Sequence, residues 1–229
     1  GEETLAENTR LKSVFARYLA GSATRSVVGG IGLWLSHPEV KSLQSYGVRL
    51  DRISDSKFIQ NIRLLTIPIE STVKTETAHD SAPLSPFYPA WLRTRGEKVR
   101  KFIDAVQNHD LNEIGEVAEE DTFNLHAITM SAPLKKGMLL WAPETVKIMH
   151  KVREMREEGI LAYFSIDTGP SVVIITDKAN EKKVKFNLNE TVPDLPIYSG
   201  KIGGPSQIVA PHSTYAELIE EDVRKYRKT

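Results

Sequence analysis

The sequence of 229 residues contains no cysteine. This absence excludes disulfide bonds, thiolate metal ligands and a cysteine nucleophile, and it is typical of proteins from a reducing compartment. Lysine plus arginine and aspartate plus glutamate each number 30, so the formal net charge is zero. Because no overall field attracts nucleic acid or an acidic membrane, any anion-binding site must be local.

Long apolar segments are also missing. Runs such as residues 172–175 (Val-Val-Ile-Ile) are too short to span a bilayer, and the first residues do not follow a signal-peptide pattern. We therefore predict a cytoplasmic protein that binds neither membrane nor nucleic acid. The chain begins with Gly-Glu-Glu rather than Met, which points to a fragment or a processed chain. Walker loops, Rossmann fingerprints, zinc motifs and Gly-x-Ser-x-Gly elbows are absent from the sequence.

With 40% hydrophobic and 26% charged residues, the chain can bury one sizeable core or two small ones. Apolar periodicity predicts helices at 5–19, 87–108, 111–130, 143–159 and 214–229, and strands at 27–35, 63–69, 160–166, 171–176 and 197–204. The hydroxyl-rich and proline-rich residues 71–86 are predicted to form a loop. Helices and strands do not alternate as in βαβ units. The order favours an α+β fold, an antiparallel or mixed sheet covered on one face by helices.

Residues 20–26 (Ala-Gly-Ser-Ala-Thr-Arg-Ser) form a small-residue stretch that ends near one cation. Small side chains let backbone amides approach an anion closely, and the Arg25 guanidinium can pair bidentately with a carboxylate or a phosphate. This pattern predicts a loop that binds an anion, without indicating which one.

Residues 167–171 (Asp-Thr-Gly-Pro-Ser) separate two predicted strands. An acidic residue at a strand end, beside a glycine that exposes backbone, is a common place for chemistry. The same composition also favours an ordinary turn, and on propensity alone the turn is preferred.

A group of acidic residues with one histidine lies on the predicted helix at 111–130. Carboxylates and imidazole are common metal ligands. Glu119 and His126 share a helix face two turns apart, but Asp121 points elsewhere. A solvated acidic edge with one packed histidine is therefore the favoured interpretation, and no metal site is predicted.

Four motifs in this order resemble those of the diphosphomevalonate decarboxylases. Residues 21–26, followed by Gly29-Gly30 and Trp34, resemble the Ser-Gly-Ser-Ala-Cys-Arg-Ser, Gly-Gly and Trp segment of the family. Residues 120–127 resemble its Asp-Ser-x-x-x-His-Ala helix, and residues 164–171 resemble its Phe-x-x-Asp-Ala-Gly-Pro-Asn loop. Residues 203–205 resemble its late Gly-x-Gly-Pro motif. The resemblance spans most of the chain and is specific because all four motifs occur together.

The resemblance implies the fold of the galactokinase, homoserine kinase, mevalonate kinase and phosphomevalonate kinase (GHMP) superfamily. It implies that residues 1–61 are the last elements of the amino-terminal domain, that 62–205 form the carboxy-terminal domain, and that 206–229 form a helical tail. It further implies a missing amino-terminal half, supplied by the same protein or by a second chain. A homodimer is one further partner that this interpretation allows.

The resemblance also implies the site and its chemistry. Asp167 and Arg25 would be catalytic and would face one another across the carboxylate and the C3 substituent of a phosphorylated mevalonate. A fixed carboxylate at Asp167 can stabilise positive charge that develops at C3, and Arg25 can hold the substrate carboxylate. The expected substrate-binding and phosphate-binding residues are Gly21, Ser22, Ala23, Thr24, Thr168 and Gly169.

Departures from the family pattern bear on the substrate. Ala20 stands where the family has serine, Thr24 replaces cysteine, and the amino-terminal phosphate loop and lysine have no counterpart in this sequence. These changes favour the archaeal type that converts mevalonate 3,5-bisphosphate to isopentenyl phosphate without a cofactor. The alternatives are a diphosphomevalonate decarboxylase that uses ATP and Mg²⁺, a mevalonate 3-kinase-like enzyme, and a non-catalytic domain. Asp167 argues against the 3-kinase, because that relative lacks the aspartate.

Overall fold

The structure, a computed structural model, describes residues 8–36, 39–52, 55–71, 75–133 and 138–207. The described residues up to 49, together with 203–207, form one compact unit, and those between 50 and 202 form a second. The helix predicted at 214–229 lies outside the described residues. Within the described ranges, no helix is long and apolar enough to cross a membrane.

The first unit contains two helices and a two-stranded antiparallel sheet. Its elements are α1 (Thr9–Arg17), α2 (Ala23–Val28), β1 (Gly32–Trp34) and β2 (Gly47–Arg49). The Asn8 side chain caps α1 by accepting from the amide of Leu11 at 2.8 Å. The predicted apolar stripe of α1 is only partly buried, since Val14 is enclosed whereas Phe15 is exposed.

The strand predicted at 27–35 is wrong in its first part. Val27 and Val28 complete α2 and are buried there, and the strand begins only at Gly32. Between the two elements, Gly29 and Gly30 have φ values of 64° and 61°, a region that favours glycine. The glycine pair therefore marks the end of a helix rather than the start of a strand.

The second unit is built on a four-stranded sheet in the order β4-β5-β3-β6, with every neighbouring pair antiparallel. Its strands are β3 (Ile62–Ile67), β4 (Tyr163–Ser165), β5 (Val172–Asp177) and β6 (Tyr198–Gly200). The central strand predicted at 63–69, the two strands at 160–176 and the outer strand near 198 are confirmed.

Five α-helices of the second unit lie between β3 and β6 in the chain, and one short helix precedes them. They are α3 (Ser56–Asn61), α4 (Thr75–Ser81), α5 (Tyr88–Gln107), α6 (Leu111–Met130), α7 (Pro143–Glu157) and α8 (Glu181–Thr191). The hairpin of α5 and α6 turns at His109, which has φ 56°, and Asp110 caps α6 by accepting from the amide of Glu113. This hinge is where the sequence predicts it.

Besides α2, whose residues are predicted as loop and strand, two helices are not predicted from the sequence. Residues 75–81 form α4 where a loop is predicted, and the polar residues 181–191 form α8, of which Val184 and Leu188 are buried. The main core contains residues from the sheet, α7 and α8, including the fully buried Leu65, Ile148, Phe164, Ile174 and Leu188. The structure is thus the predicted α+β arrangement of an antiparallel sheet with helices.

Candidate active site

Asp167 lies in the loop between β4 and β5, where its side chain is exposed. Its carboxylate oxygen Oδ1 accepts from the amide of Thr168 at 2.9 Å. Its backbone carbonyl accepts from the amide of Gly169 at 2.8 Å and from Nε2 of His126 at 3.0 Å. The loop is therefore an ordered turn that presents a carboxylate to solvent.

The end of the same loop is tied to two other elements. Thr145 on α7 donates through its hydroxyl to the carbonyl of Pro170 at 2.7 Å. The Ser171 hydroxyl accepts from the amide of Ile69 at 3.0 Å and donates to its carbonyl at 3.1 Å. These bonds connect residues that are far apart in sequence, so the loop is fixed by the fold rather than by its own turn alone.

Three polar side chains of α6 bond to the outer edge of β4 and the start of the loop. Glu119 accepts from the amide of Phe164 at 3.1 Å, Thr122 accepts from the amide of Ile166 at 2.9 Å, and His126 donates to the carbonyl of Asp167. Positions 119, 122 and 126 lie on one face of a helix. These side chains satisfy one backbone group of the outer strand β4 and two of the residues that follow it, which no further strand of the sheet pairs.

The prediction that the acidic residues of this helix are solvated is wrong at Glu119. Only 8% of Glu119 is exposed, because Arg156 on α7 holds both of its carboxylate oxygens, at 2.6 and 2.9 Å. Arg156 also donates to the carbonyl of Ala162 at 2.8 Å. The prediction holds better for Glu120 and Asp121, which form ion pairs with Lys98 and Arg95 nearer the surface.

His126 is the packed histidine that the sequence predicts, and it is fully buried. A carbonyl can only accept, so Nε2 carries the proton, and Nδ1 is left without a hydrogen-bond partner among the described residues. Burial lowers the pKa of His126 below its ordinary value, while its bonds to the Asp167 and Ile166 backbone act in the opposite direction. The imidazole is thus neutral at pH 7.

Arg25 lies on α2, rather than in a loop as predicted. Its side chain is exposed and makes no ion pair with any residue that the structure describes. An exposed arginine without a carboxylate partner is available to bind a carboxylate or phosphate from solution.

The turn before α2 uses most of its amides internally. Ala23, Thr24 and Arg25 donate to the carbonyls of Ala20, Gly21 and Ser22, at 3.1, 3.3 and 3.1 Å. Ser22 is exposed and its side chain makes no capping hydrogen bond. The Thr24 hydroxyl is buried without a partner among the described residues, so this side chain faces the interior of the unit.

The predicted site residues fall into two groups. Asp167, Thr168 and Gly169 share one loop of the second unit, whereas Gly21, Ser22, Ala23, Thr24 and Arg25 share a turn and a helix of the first. The described residues contain no group of three or more His, Asp or Glu side chains that could hold a metal ion.

Two of the glycine motifs meet within the first unit. Gly30 donates through its amide to the carbonyl of Gly203 at 2.9 Å. A Cβ at Gly29 would lie 2.2 Å from the nitrogen of Pro205 and 2.3 Å from the carbonyl carbon of Gly204. The close approach of the two backbones explains the glycine at position 29, whereas a Cβ at Gly203 or Gly204 would meet no atom within 4 Å.

Comparison with known proteins agrees with this architecture. The profile of the mevalonate 5-diphosphate decarboxylase C-terminal domain matches residues 70–223. The mevalonate 3,5-bisphosphate decarboxylase of Thermoplasma acidophilum is 28% identical over 179 residues, which are 78% of this chain and 42% of that protein. The phosphomevalonate decarboxylase of Haloferax volcanii is 28% identical over 198 residues, 86% of this chain and 58% of that protein.

A solved structure shares the fold. The crystal structure of mevalonate diphosphate decarboxylase from Staphylococcus aureus superposes with a TM-score of 0.78 at 26% identity, covering 89% of this chain and 61% of that one. This likeness confirms the predicted fold of the GHMP superfamily. The chain spans about half the length of the curated relatives it matches. With the matched domain making up more than half of its residues, the chain belongs to the mevalonate 5-diphosphate decarboxylase family.

Proposed function

We propose that the protein containing this chain decarboxylates a phosphorylated mevalonate in isoprenoid biosynthesis, with the conversion of mevalonate 3,5-bisphosphate to isopentenyl phosphate favoured. The observation that carries the proposal is the exposed carboxylate of Asp167, held in a loop whose backbone is bonded to Gly169 and His126. A carboxylate in a fixed position can stabilise positive charge without reorganising during the reaction.

The reaction breaks the C3–O and C1–C2 bonds of the substrate and forms two π bonds, one between C2 and C3 and one that completes CO₂ from a lone pair of the carboxylate. The C3–O bond breaks and its electron pair leaves with the phosphate, so C3 becomes electron-deficient. The C1–C2 bond then supplies its pair to a new C2=C3 double bond, and C1 leaves as CO₂. Asp167 stabilises the charge at C3, which exists in the transition state and not in the bound substrate, so its contribution appears in kcat.

Arg25 and Ser22 are proposed to bind the substrate. The guanidinium of Arg25 pairs with the carboxylate of the substrate and aligns the C1–C2 bond with the empty orbital at C3. The exposed hydroxyl of Ser22 and the backbone amide of Gly21 bind phosphate oxygens, and Ala23, whose amide already donates to Ala20, forms part of the turn that presents them. The side chain of Thr24 is buried inside the unit with its hydroxyl unpaired among the described residues, and the amides of Thr168 and Gly169 position Asp167.

A cofactor is required only for substrates in which the C3 hydroxyl is free, such as mevalonate 5-diphosphate and mevalonate 5-phosphate. Mevalonate 5-diphosphate carries a free C3 hydroxyl, to which ATP, as its Mg²⁺ complex, would have to transfer a phosphoryl group, leaving ADP, before decarboxylation. The described residues offer no cluster of carboxylates or histidines to bind the ion. We therefore assign none of them a part in that step, and the remainder of the protein is the proposed partner that would carry it.

The test is a substrate panel with the complete protein. Mevalonate 3,5-bisphosphate, mevalonate 5-phosphate and mevalonate 5-diphosphate are each incubated with and without ATP and Mg²⁺, and released CO₂ is measured. Release from the 3,5-bisphosphate without ATP supports the favoured reaction. Release from the 5-diphosphate or the 5-phosphate only with ATP assigns the ATP-dependent type. No release in any arm contradicts a decarboxylase.

A further inference from the structure

One peptide unit connects His126 to the carboxylate of Asp167. The carbonyl of Asp167 and the amide of Thr168 belong to the same planar group. Its oxygen accepts from Nε2 of His126 at 3.0 Å, and its nitrogen donates to Oδ1 of Asp167 at 2.9 Å. Because the group is rigid, rotation at the oxygen end would also turn the N–H away from the carboxylate.

The hydrogen bond from His126 connects this peptide group to a distant part of the chain. The second donor to the carbonyl, the amide of Gly169, belongs to the same turn and moves with it. His126 lies 41 residues earlier in the chain, on α6, and is fully buried. The orientation of the peptide group relative to the rest of the unit is thus set by the imidazole.

Packing alone does not account for a histidine at this position. The ring packs against Trp141 at a tilt of 44° with centroids 5.1 Å apart, a contact that an aromatic hydrocarbon would also make. Nδ1 is buried without a partner among the described residues, which is an energetic cost that such a ring would avoid. The group that distinguishes histidine here is its Nε2–H, and this N–H is directed at Asp167.

We infer that His126 is a positioning residue that fixes the Asp167 carboxylate through the shared peptide group, an inference that rests on the proposed decarboxylation. His126 does not touch the substrate. It holds the carboxylate where charge develops at C3, and removing its donor lets the carboxylate swing while the phosphate-binding and carboxylate-binding groups stay in place. The loss therefore falls on kcat rather than on KM.

The test compares two variants of equal side-chain length in the complete protein. His126→Gln keeps an N–H donor near the position of Nε2, and His126→Met has no donor. We expect His126→Met to lower kcat by roughly 10- to 100-fold with KM changed less than about twofold, and His126→Gln to recover most of the loss. The matched control is Thr122→Val, which removes the neighbouring bond to Ile166 without touching the Asp167 peptide group.

A second measurement does not depend on activity. The ¹H–¹⁵N signal of the Thr168 amide reports its hydrogen bond to Asp167, and we expect this signal to shift in His126→Met but not in Thr122→Val. If the native protein releases no CO₂, the proposed function fails while this signal still decides the positioning. An unchanged Thr168 signal, an equal loss of kcat in His126→Met and Thr122→Val, or loss of folding in His126→Met alone would each overturn the inference.

Discussion

Arg156 on α7 and Glu119 on α6 form a bidentate ion pair, with Nη1 to Oε1 at 2.6 Å and Nη2 to Oε2 at 2.9 Å. Glu119 simultaneously accepts from the amide of Phe164, and Arg156 donates to the carbonyl of Ala162. This ion pair therefore joins α6 to α7 and connects both helices to the backbone on either side of Tyr163, where β4 begins.

Replacing one member of this ion pair is expected to destabilise the fold more than replacing both members together. Glu119→Gln or Arg156→Met alone leaves a largely buried charge without its partner, which costs up to about 3–5 kcal/mol. The double variant leaves no unpaired charge, so its loss in the free energy of unfolding should be smaller than the sum of the two. Urea unfolding of all four proteins measures the coupling. Strict additivity would show that the pair contributes nothing as a unit.

Gly115 on α6 is expected to tolerate no side chain. A Cβ there would lie 2.2 Å from Cγ and Cδ2 of the buried Tyr163, whose hydroxyl donates to Asn112. Gly115→Ala should therefore destabilise the protein by about 1–3 kcal/mol through overpacking. Thermal unfolding measures the change.

The matched control lies on the preceding helix. Gly96 on α5 has open space where its Cβ would be. Gly96→Ala should raise stability by roughly 0.5–1 kcal/mol, since alanine favours the helix. Equal effects at the two glycines would contradict the close approach of α6 and β4.

Asp167→Asn is expected to abolish turnover while substrate binding is largely kept. The amide retains an oxygen that can accept from Thr168, so the loop should keep its shape, but it has no charge to stabilise C3. CO₂ release is measured together with substrate binding by calorimetry. Near-normal turnover would contradict the role proposed for Asp167.

Arg25→Gln should give a different pattern. Loss of the guanidinium removes the partner of the substrate carboxylate in both the bound substrate and the transition state, so KM should rise along with the loss of kcat. An unchanged KM would argue against carboxylate binding by Arg25.

His126 should make folding stability depend on pH. Since burial lowers its pKa in the folded state, the unfolded chain binds the proton first as the pH falls below about 6.5. Stability is therefore fully present above that pH, declines below it, and levels off once the folded histidine is also protonated. Urea unfolding between pH 5 and 8 measures this slope, and subtracting the values for His126→Met removes the effect of the other histidines. An identical slope in both proteins would show that His126 does not titrate this way.

The sequence alone predicts those elements whose side chains follow one period. The hairpin of α5 and α6, the helix α7 and the strands β3 and β5 all have apolar residues at helix or strand spacing. The helix α8 is missed because its buried residues are only Val184 and Leu188, too few to reveal a pattern in a polar segment. The helix α4 is missed because its hydroxyl residues and the prolines that follow favour a loop.

Val27 and Val28 show how tertiary packing overrides local preference. Two β-branched residues before a glycine pair suggest a strand, yet they complete α2 and are buried within the first unit. Arg25 consequently lies on a helix, although its exposed position agrees with the predicted role.

The candidate site is predicted only in part. Asp167 and Arg25 are identified by the family resemblance, because local composition cannot distinguish a reactive aspartate from one in a turn. The contributions of Glu119 and Thr122 cannot be found this way. They depend on β4 being an outer strand, which is known only once the order of the sheet is known. The sequence does show that Glu119, Thr122 and His126 are spaced to lie on one face of α6, which indicates that they act on the same neighbouring element.

The side chains of α6 also affect how copies of the protein can associate. An outer strand normally offers its amides to a strand of another molecule, and sheets shared between molecules grow in this way. In β4 and the residue after it, the amides of Phe164 and Ile166 already donate to Glu119 and Thr122. Glu119 and Thr122 therefore block intermolecular strand addition at the edge that leads into the Asp167 loop, so a change that loosens this edge would also expose a surface prone to aggregation.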